Sequence, residues 1–191
     1  MSRYPNLKTG LANIETSRWA FDQAALVPAN QAILEIGVFR ARTTCWLAHG
    51  AKSGKGAHVW GVDPWDLPTA NQPKAKFRDP KQRRLAQQHV HEAGVRSQVT
   101  LVQAFSVDFA RGWTGPRIGL TYIDGDHSFE GAVDDFEAWR PHLAADAVIA
   151  FDDYGAPSLP GVKQAVDYLV AEGRITEPEV VGGRLAVSRL P

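Results

Sequence analysis

Three observations predict an α/β fold, a Rossmann-like three-layer sandwich whose seven-stranded, mostly parallel sheet ends in an antiparallel hairpin. Short apolar runs alternate with longer stretches of helical period. The apolar runs are near-continuous rather than alternating, as in strands covered on both faces. The last two strand candidates are joined by Gly182-Gly183, a pair suited to a tight hairpin. At 191 residues, 44% of them hydrophobic, the chain is long enough for one such domain and its core.

Taken in order, residues 1–28 form an N-terminal helical segment, with a helix over Ile14 to Leu26 and Trp19 and Phe21 available to pack on the sheet or on a second copy in a homodimer. Residues 29–191 form the domain. Strands are expected over Ala32 to Ile36, His58 to Val62, Val99 to Val102, Ile118 to Ile123 and Ala147 to Phe151, each too short for a helix. Between them lie helices near Thr43 to His49, Lys81 to Ala93, Phe129 to Trp139 and Val162 to Glu172, with Phe129, Val133, Phe136 and Trp139 giving the cleanest apolar stripe. Pro64, Pro68, Pro73 and Pro80 keep the connection after the second strand irregular, at the edge where open α/β sheets bind ligands. The tail reads as two strands, Ile175 to Val181 and Arg184 to Val187.

Charge and cysteine content exclude several function classes. Lys+Arg 21 against Asp+Glu 21 gives net charge +0, which argues against the broad cationic surface of a nucleic-acid or membrane binder. The basic run Lys74, Lys76, Arg78, Lys81, Arg83 and Arg84 reads more simply as a solvated loop and helix face. The single cysteine, Cys45, excludes an intrachain disulfide and a multi-cysteine metal site. With no leader-like N-terminus and no run of about 18 apolar residues, a soluble cytoplasmic protein is expected.

The stretch Ile33-Leu34-Glu35-Ile36-Gly37-Val38-Phe39-Arg40-Ala41-Arg42-Thr43-Thr44 runs from a strand through a turn into a helix. Gly37 removes a side chain where a ligand approaches the backbone, and the helix start offers N–H groups and the Thr43 and Thr44 hydroxyls to a carboxylate or phosphate. Glu35 adds an acceptor. The dinucleotide fingerprint asks for further glycines where Phe39 and Arg42 stand, which disfavours a nucleotide-dependent oxidoreductase. Asp63 closes the second strand, where an acid accepts the hydroxyls of a ribose, and Trp65 either lies against a cofactor or shields the sheet edge.

Two later strands end in acids: Ile123-Asp124-Gly125-Asp126-His127 and Phe151-Asp152-Asp153-Tyr154. If these strands are neighbours, Asp124, Asp152 and Asp153 converge at one edge and repel as bare anions, so a cation resolves the site. All-oxygen ligands favour Mg²⁺, Mn²⁺ or Ca²⁺ over zinc, and Mg²⁺ keeps sites open for water or substrate oxygens. His127, three residues after Asp124, is placed to act as general base from the first turn of the next helix. The plainer alternative makes Asp126 and His127 a helix cap and Asp152-Asp153 a solvated turn.

These motifs together resemble the class I S-adenosylmethionine-dependent methyltransferases, and among them the metal-dependent O-methyltransferases of the macrocin, mycinamicin and catechol type. The resemblance runs from about Ala29 to the terminal hairpin. It implies a cofactor site for S-adenosylmethionine formed by Glu35, Gly37, Phe39, Thr43, Asp63, Trp65, Ala104, Phe105 and Ser106. It likewise implies metal ligands Asp124, Asp152 and Asp153, and His127 as base. Catechol-type relatives have lysine at that base position and the macrolide-sugar type has histidine, so the implied acceptor is a vicinal hydroxyl of a sugar or natural-product diol rather than a catechol. Ala41 stands where the family's cofactor loop has its second glycine. A catalytically silent relative on the same fold is the other reading.

Overall fold

A computed structural model describes residue 5, residues 13–67 and residues 80–191. The basic residues Lys74, Lys76 and Arg78 lie outside that range, as does most of the proline-rich connection. The elements follow one another as α1 (Ile14–Leu26), β1 (Ala32–Ile36), α2 (Arg42–Ser53), β2 (His58–Asp63), α3 (Pro80–Glu92), β3 (Val99–Gln103), α4 (Ser106–Arg111), β4 (Ile118–Ile123), α5 (Phe129–Trp139), β5 (Leu143–Phe151), α6 (Pro160–Ala171), β6 (Glu179–Val181) and β7 (Leu185–Arg189). The expected rhythm is present, with differences: α2 runs on to Ser53 rather than ending at His49, and the first tail strand, β6, begins at Glu179 rather than Ile175, just after Pro178, which has no N–H for a ladder. A short helix, α4, follows β3 where none was expected, and β5 begins at Leu143 rather than Ala147 because exposed Ala145 and Asp146 interrupt its apolar run.

The seven strands form one sheet in the order β3-β2-β1-β4-β5-β7-β6. Pairing is parallel from β3 to β5 and antiparallel from β5 through β7 to β6. The closing turn spans residues 182–184, with Gly182 and Gly183 at φ 59° and 66°, a conformation that residues with a Cβ avoid. β1 and β4 are adjacent although two strands of the sheet, β2 and β3, separate them in sequence, so the strand order reverses between them. Ligands of open α/β sheets bind at such a reversal, outside the carboxyl ends of the strands.

Successive side chains on each strand face opposite layers. Ile33, Val59, Leu120 and Ala150 pack with Ala20 and Ala24 of α1, Leu47 and Ala48 of α2, and Ala86 and Val90 of α3. On the other face Leu34, Ile36, Ile149 and Phe151 pack with Phe136 and Trp139 of α5 and Val162, Val166 and Leu169 of α6. α1 lies against α2, where Phe21, 3% exposed, meets Trp46 edge-on at 6.5 Å between ring centroids. Asn13 caps α1 by accepting the Glu15 N–H, and its side chain reaches the Gly182 carbonyl of the closing turn. No helix among the described residues is long and apolar enough to cross a membrane.

Candidate active site

Among the described residues, the non-glycine positions with positive φ are Phe39 (49°), Ala41 (62°), Trp65 (44°) and Asp153 (64°). All four follow the carboxyl ends of β1, β2 and β5. Backbone held in this sparsely populated region collects where a site requires it, and here it marks a single edge of the sheet.

The β1 side of that edge is built from groups satisfied by the protein itself. Asp63 Oδ2 accepts the Val38 and Phe39 N–H groups at 2.9 and 2.8 Å, and its Oδ1 accepts the Trp65 N–H at 2.6 Å. Burial pushes the Asp63 carboxyl above the ordinary carboxylate range while these three amides pull it back. Asp63, the expected ribose acid, therefore also holds the 37–41 loop to β2. Trp65 is 2% exposed and its indole N–H donates to the Phe39 carbonyl at 2.9 Å, so its ring braces the loop from behind. Glu35 is buried and accepts the Thr44 hydroxyl; desolvation raises its pKa well above the usual value. Thr43 is 8% exposed in the first turn of α2. A Cβ on Gly37 would lie 1.9 Å from the Asp124 carbonyl oxygen, so the missing side chain there makes room for the end of β4.

Ala104 and Phe105 are half-buried after β3, and Ser106 opens α4. The Ser106 hydroxyl accepts the Trp139 indole N–H at 2.9 Å and bonds Asp135, whose carboxyl burial pushes up to about 7. Asp135 is a partner that the sequence does not single out, and Trp139 is read there only as part of an apolar stripe. Beside β2 and β3, an open groove of about 530 Å³ is lined by Asp66, Arg83, Arg84, Gln87 and Gln103. Arg83 donates to Gln103 and Gln103 to Asp66, so one arginine of the basic run is already engaged.

The β4 and β5 ends are neighbours in register, Ile123 beside Phe151, which brings the two acid motifs together. His127 Nε2 lies 3.3 Å from Asp124 Oδ1 and 3.0 Å from Asp153 Oδ2. One ligand atom from each of Asp124, His127 and Asp153 falls within 4.8 Å of the others. The two anionic oxygen donors, Asp124 and Asp153, suit a hard divalent cation, with the His127 imidazole beside them. His127 sits in the loop before α5 rather than on the helix; Ser128 caps α5 by accepting the Gly131 N–H, and Asp126 accepts the Ser128 N–H. The solvated-turn alternative does not hold, since Asp152 and Asp153 are each 4% exposed.

Asp152, expected as a third ligand, faces elsewhere. Its Oδ1 accepts the Asp153 N–H at 2.9 Å and Arg184 Nε at 3.2 Å, and it also takes the Tyr122 hydroxyl. Arg184 Nη2 forms an ion pair with Asp153 Oδ1. Burial, with repulsion from Asp152, pushes the Asp124 carboxyl up to about 7 although the His127 hydrogen bond opposes it. Hydrogen bonds to Asp124 and Asp153 push His127 up to about 10. Asp153 is held below the ordinary range by His127 and Arg184 despite its burial.

Residues 34–154 match a family model described as a methyltransferase domain. Several solved structures share the fold. The cofactor-bound Rv0187 from MTB is 20% identical, with 98% of this chain and 84% of that one covered at a TM-score of 0.73. An O-methyltransferase from Bacillus cereus in complex with SAH is 17% identical, over 96% and 84% of the two chains, at 0.69. CalS11, a TDP-rhamnose 3′-O-methyltransferase of calicheamicin biosynthesis, is 20% identical, over 91% and 77%, at 0.63.

Proposed function

This chain belongs to the methyltransferase-domain family, and from that premise we propose that it moves a methyl group from S-adenosylmethionine to a hydroxyl of a small-molecule diol, with a divalent cation held at the β4 and β5 ends. The observation that carries the reading is the convergence of Asp124, His127 and Asp153 within 4.8 Å, across the strand-order reversal from the loop that follows Gly37. The likeness to an O-methyltransferase in complex with SAH and to a TDP-rhamnose 3′-O-methyltransferase supports both the cofactor and a sugar-like acceptor.

S-adenosylmethionine, when bound, supplies an electrophilic methyl group on a sulfonium. The chain's own part begins at the 37–44 segment, where the first turn of α2 presents N–H groups and the Thr43 hydroxyl to a carboxylate. Asp63 keeps that loop in shape and retains lone-pair capacity for a ribose hydroxyl. A Mg²⁺ or Mn²⁺ ion, when bound by Asp124 and Asp153, supplies the positive charge that acidifies a nearby hydroxyl. His127 Nε2, in reach of both carboxylates, takes the hydroxyl proton. With both carboxylates unshared the imidazole stays protonated up to about 10. Its role as a base near neutral pH therefore requires a cation to draw on the same two acids.

Calorimetric titration of the purified chain with S-adenosylhomocysteine, with and without Mg²⁺, tests the reading. Micromolar binding, and loss of Mg²⁺ binding in Asp124→Ala, are expected. Failure of both S-adenosylmethionine and S-adenosylhomocysteine to bind would overturn the cofactor assignment.

A further inference from the structure

We propose that the Arg184 guanidinium is a built-in competitor for the divalent cation, holding Asp152 and one oxygen of Asp153 away from it and so setting how tightly the site takes metal. The inference rests on the cation reading above and assigns a role to a residue of the closing turn. Arg184 is fixed at its backbone: its N–H donates to the Val181 carbonyl at 3.1 Å, and its own carbonyl accepts the Gly155 N–H at 3.1 Å. The side chain, 38% exposed, reaches from that anchored point to Asp152 Oδ1 through Nε and to Asp153 Oδ1 through Nη2.

The acids of this edge are thereby divided. Asp124 and Asp153 Oδ2 face His127, whereas Asp152 and Asp153 Oδ1 face Arg184. Asp152 also accepts the Asp153 N–H and the Tyr122 hydroxyl. A cation entering beside Asp124, His127 and Asp153 meets a carboxylate already shared with a positive charge that cannot be titrated away. It meets Asp152 Oδ1 only in competition with the guanidinium.

The test is Mn²⁺ titration of the full chain without cofactor, following free Mn²⁺ by its paramagnetic resonance signal, for wild type, Arg184→Gln and Arg184→Lys. Removing one positive charge from beside a divalent ion in a water-like dielectric, at a separation on the order of two contact distances, corresponds to a roughly tenfold tighter Kd. Arg184→Gln is expected to show that gain and a larger Mn²⁺-induced rise in Tm, with Arg184→Lys close to wild type. Equal or weaker binding by Arg184→Gln, with wild type still binding, would overturn the competition and leave the cation reading standing. A gain as large in Arg184→Lys would overturn charge competition as its cause. Binding by none of the three would overturn both.

Discussion

The carboxylates on the two sides of the strand-order reversal are treated in opposite ways. On the β1 and β2 side, Glu35 and Asp63 are answered by neutral donors, a threonine hydroxyl and three backbone N–H groups. On the β4 and β5 side, Asp124, Asp152 and Asp153 are answered by side chains that carry or accept charge, His127 and Arg184, and His127 and Asp124 remain about one-third exposed. The first arrangement fixes a loop, because neutral donors buried beside an acid leave nothing to exchange with solvent. The second can trade protons and cations, because its partners are themselves ions at an open edge. An acid at a strand end is therefore read by the groups that answer it rather than by its position.

The sharpest way to separate the two sides is His127→Ala. As a lost general base it should lower methyl transfer about 100- to 10,000-fold, measured by turnover at saturating cofactor. The same variant carries a pH signature. Because His127 is raised to about 10 in the fold, the stability it contributes is fully present below the unfolded value of about 6.5 and is lost as pH rises through 10. The Tm gap between wild type and variant should be widest near pH 6 and close by pH 11. A gap that stays constant across that range would mean that these acids act as a fixed scaffold, like those beside β1.

Asp63→Asn addresses the other side. Three N–H donors face this carboxylate, and an amide turns one acceptor into a donor, leaving a buried N–H unmatched at a cost of about 1–3 kcal/mol. Chemical denaturation should report that loss, and calorimetry a weaker affinity for S-adenosylhomocysteine. Unchanged stability would show that the loop does not depend on Asp63. Glu35→Gln should have the smallest effect, under about 1 kcal/mol, because glutamine keeps an oxygen for Thr44 and burial disfavours a charge at this position. A large destabilisation in the same denaturation assay would show that Glu35 is ionised and belongs with the charged side.

Much of this was legible in the sequence. β1, β4, α1 and α5 have the expected bounds, since each combines an unbroken apolar run or stripe with clear punctuation. The six residues of α4 hold fewer than two turns, too short for a period to register. The pairing of Asp124 with Asp152 and Asp153 follows from adjacent βα units, but the orientation of Asp152 depends on Arg184, 32 positions away in a hairpin that only the sheet order brings back. Ser106 is the same kind of case, its hydroxyl claimed by Trp139 across 33 positions. Long-range claims on a polar group leave no local trace in sequence.

The contact of Gly37 with the Asp124 carbonyl acts as a spacer between the two halves. It is backbone against backbone, and the Asp124 N–H is in turn tied to the Ile36 carbonyl at 2.8 Å. Side-chain substitution elsewhere along the two loops, outside the residues that bind or react, therefore does not reset the gauge between them. Such a scaffold lets acceptor preference drift while the reach from one loop to the other stays constant.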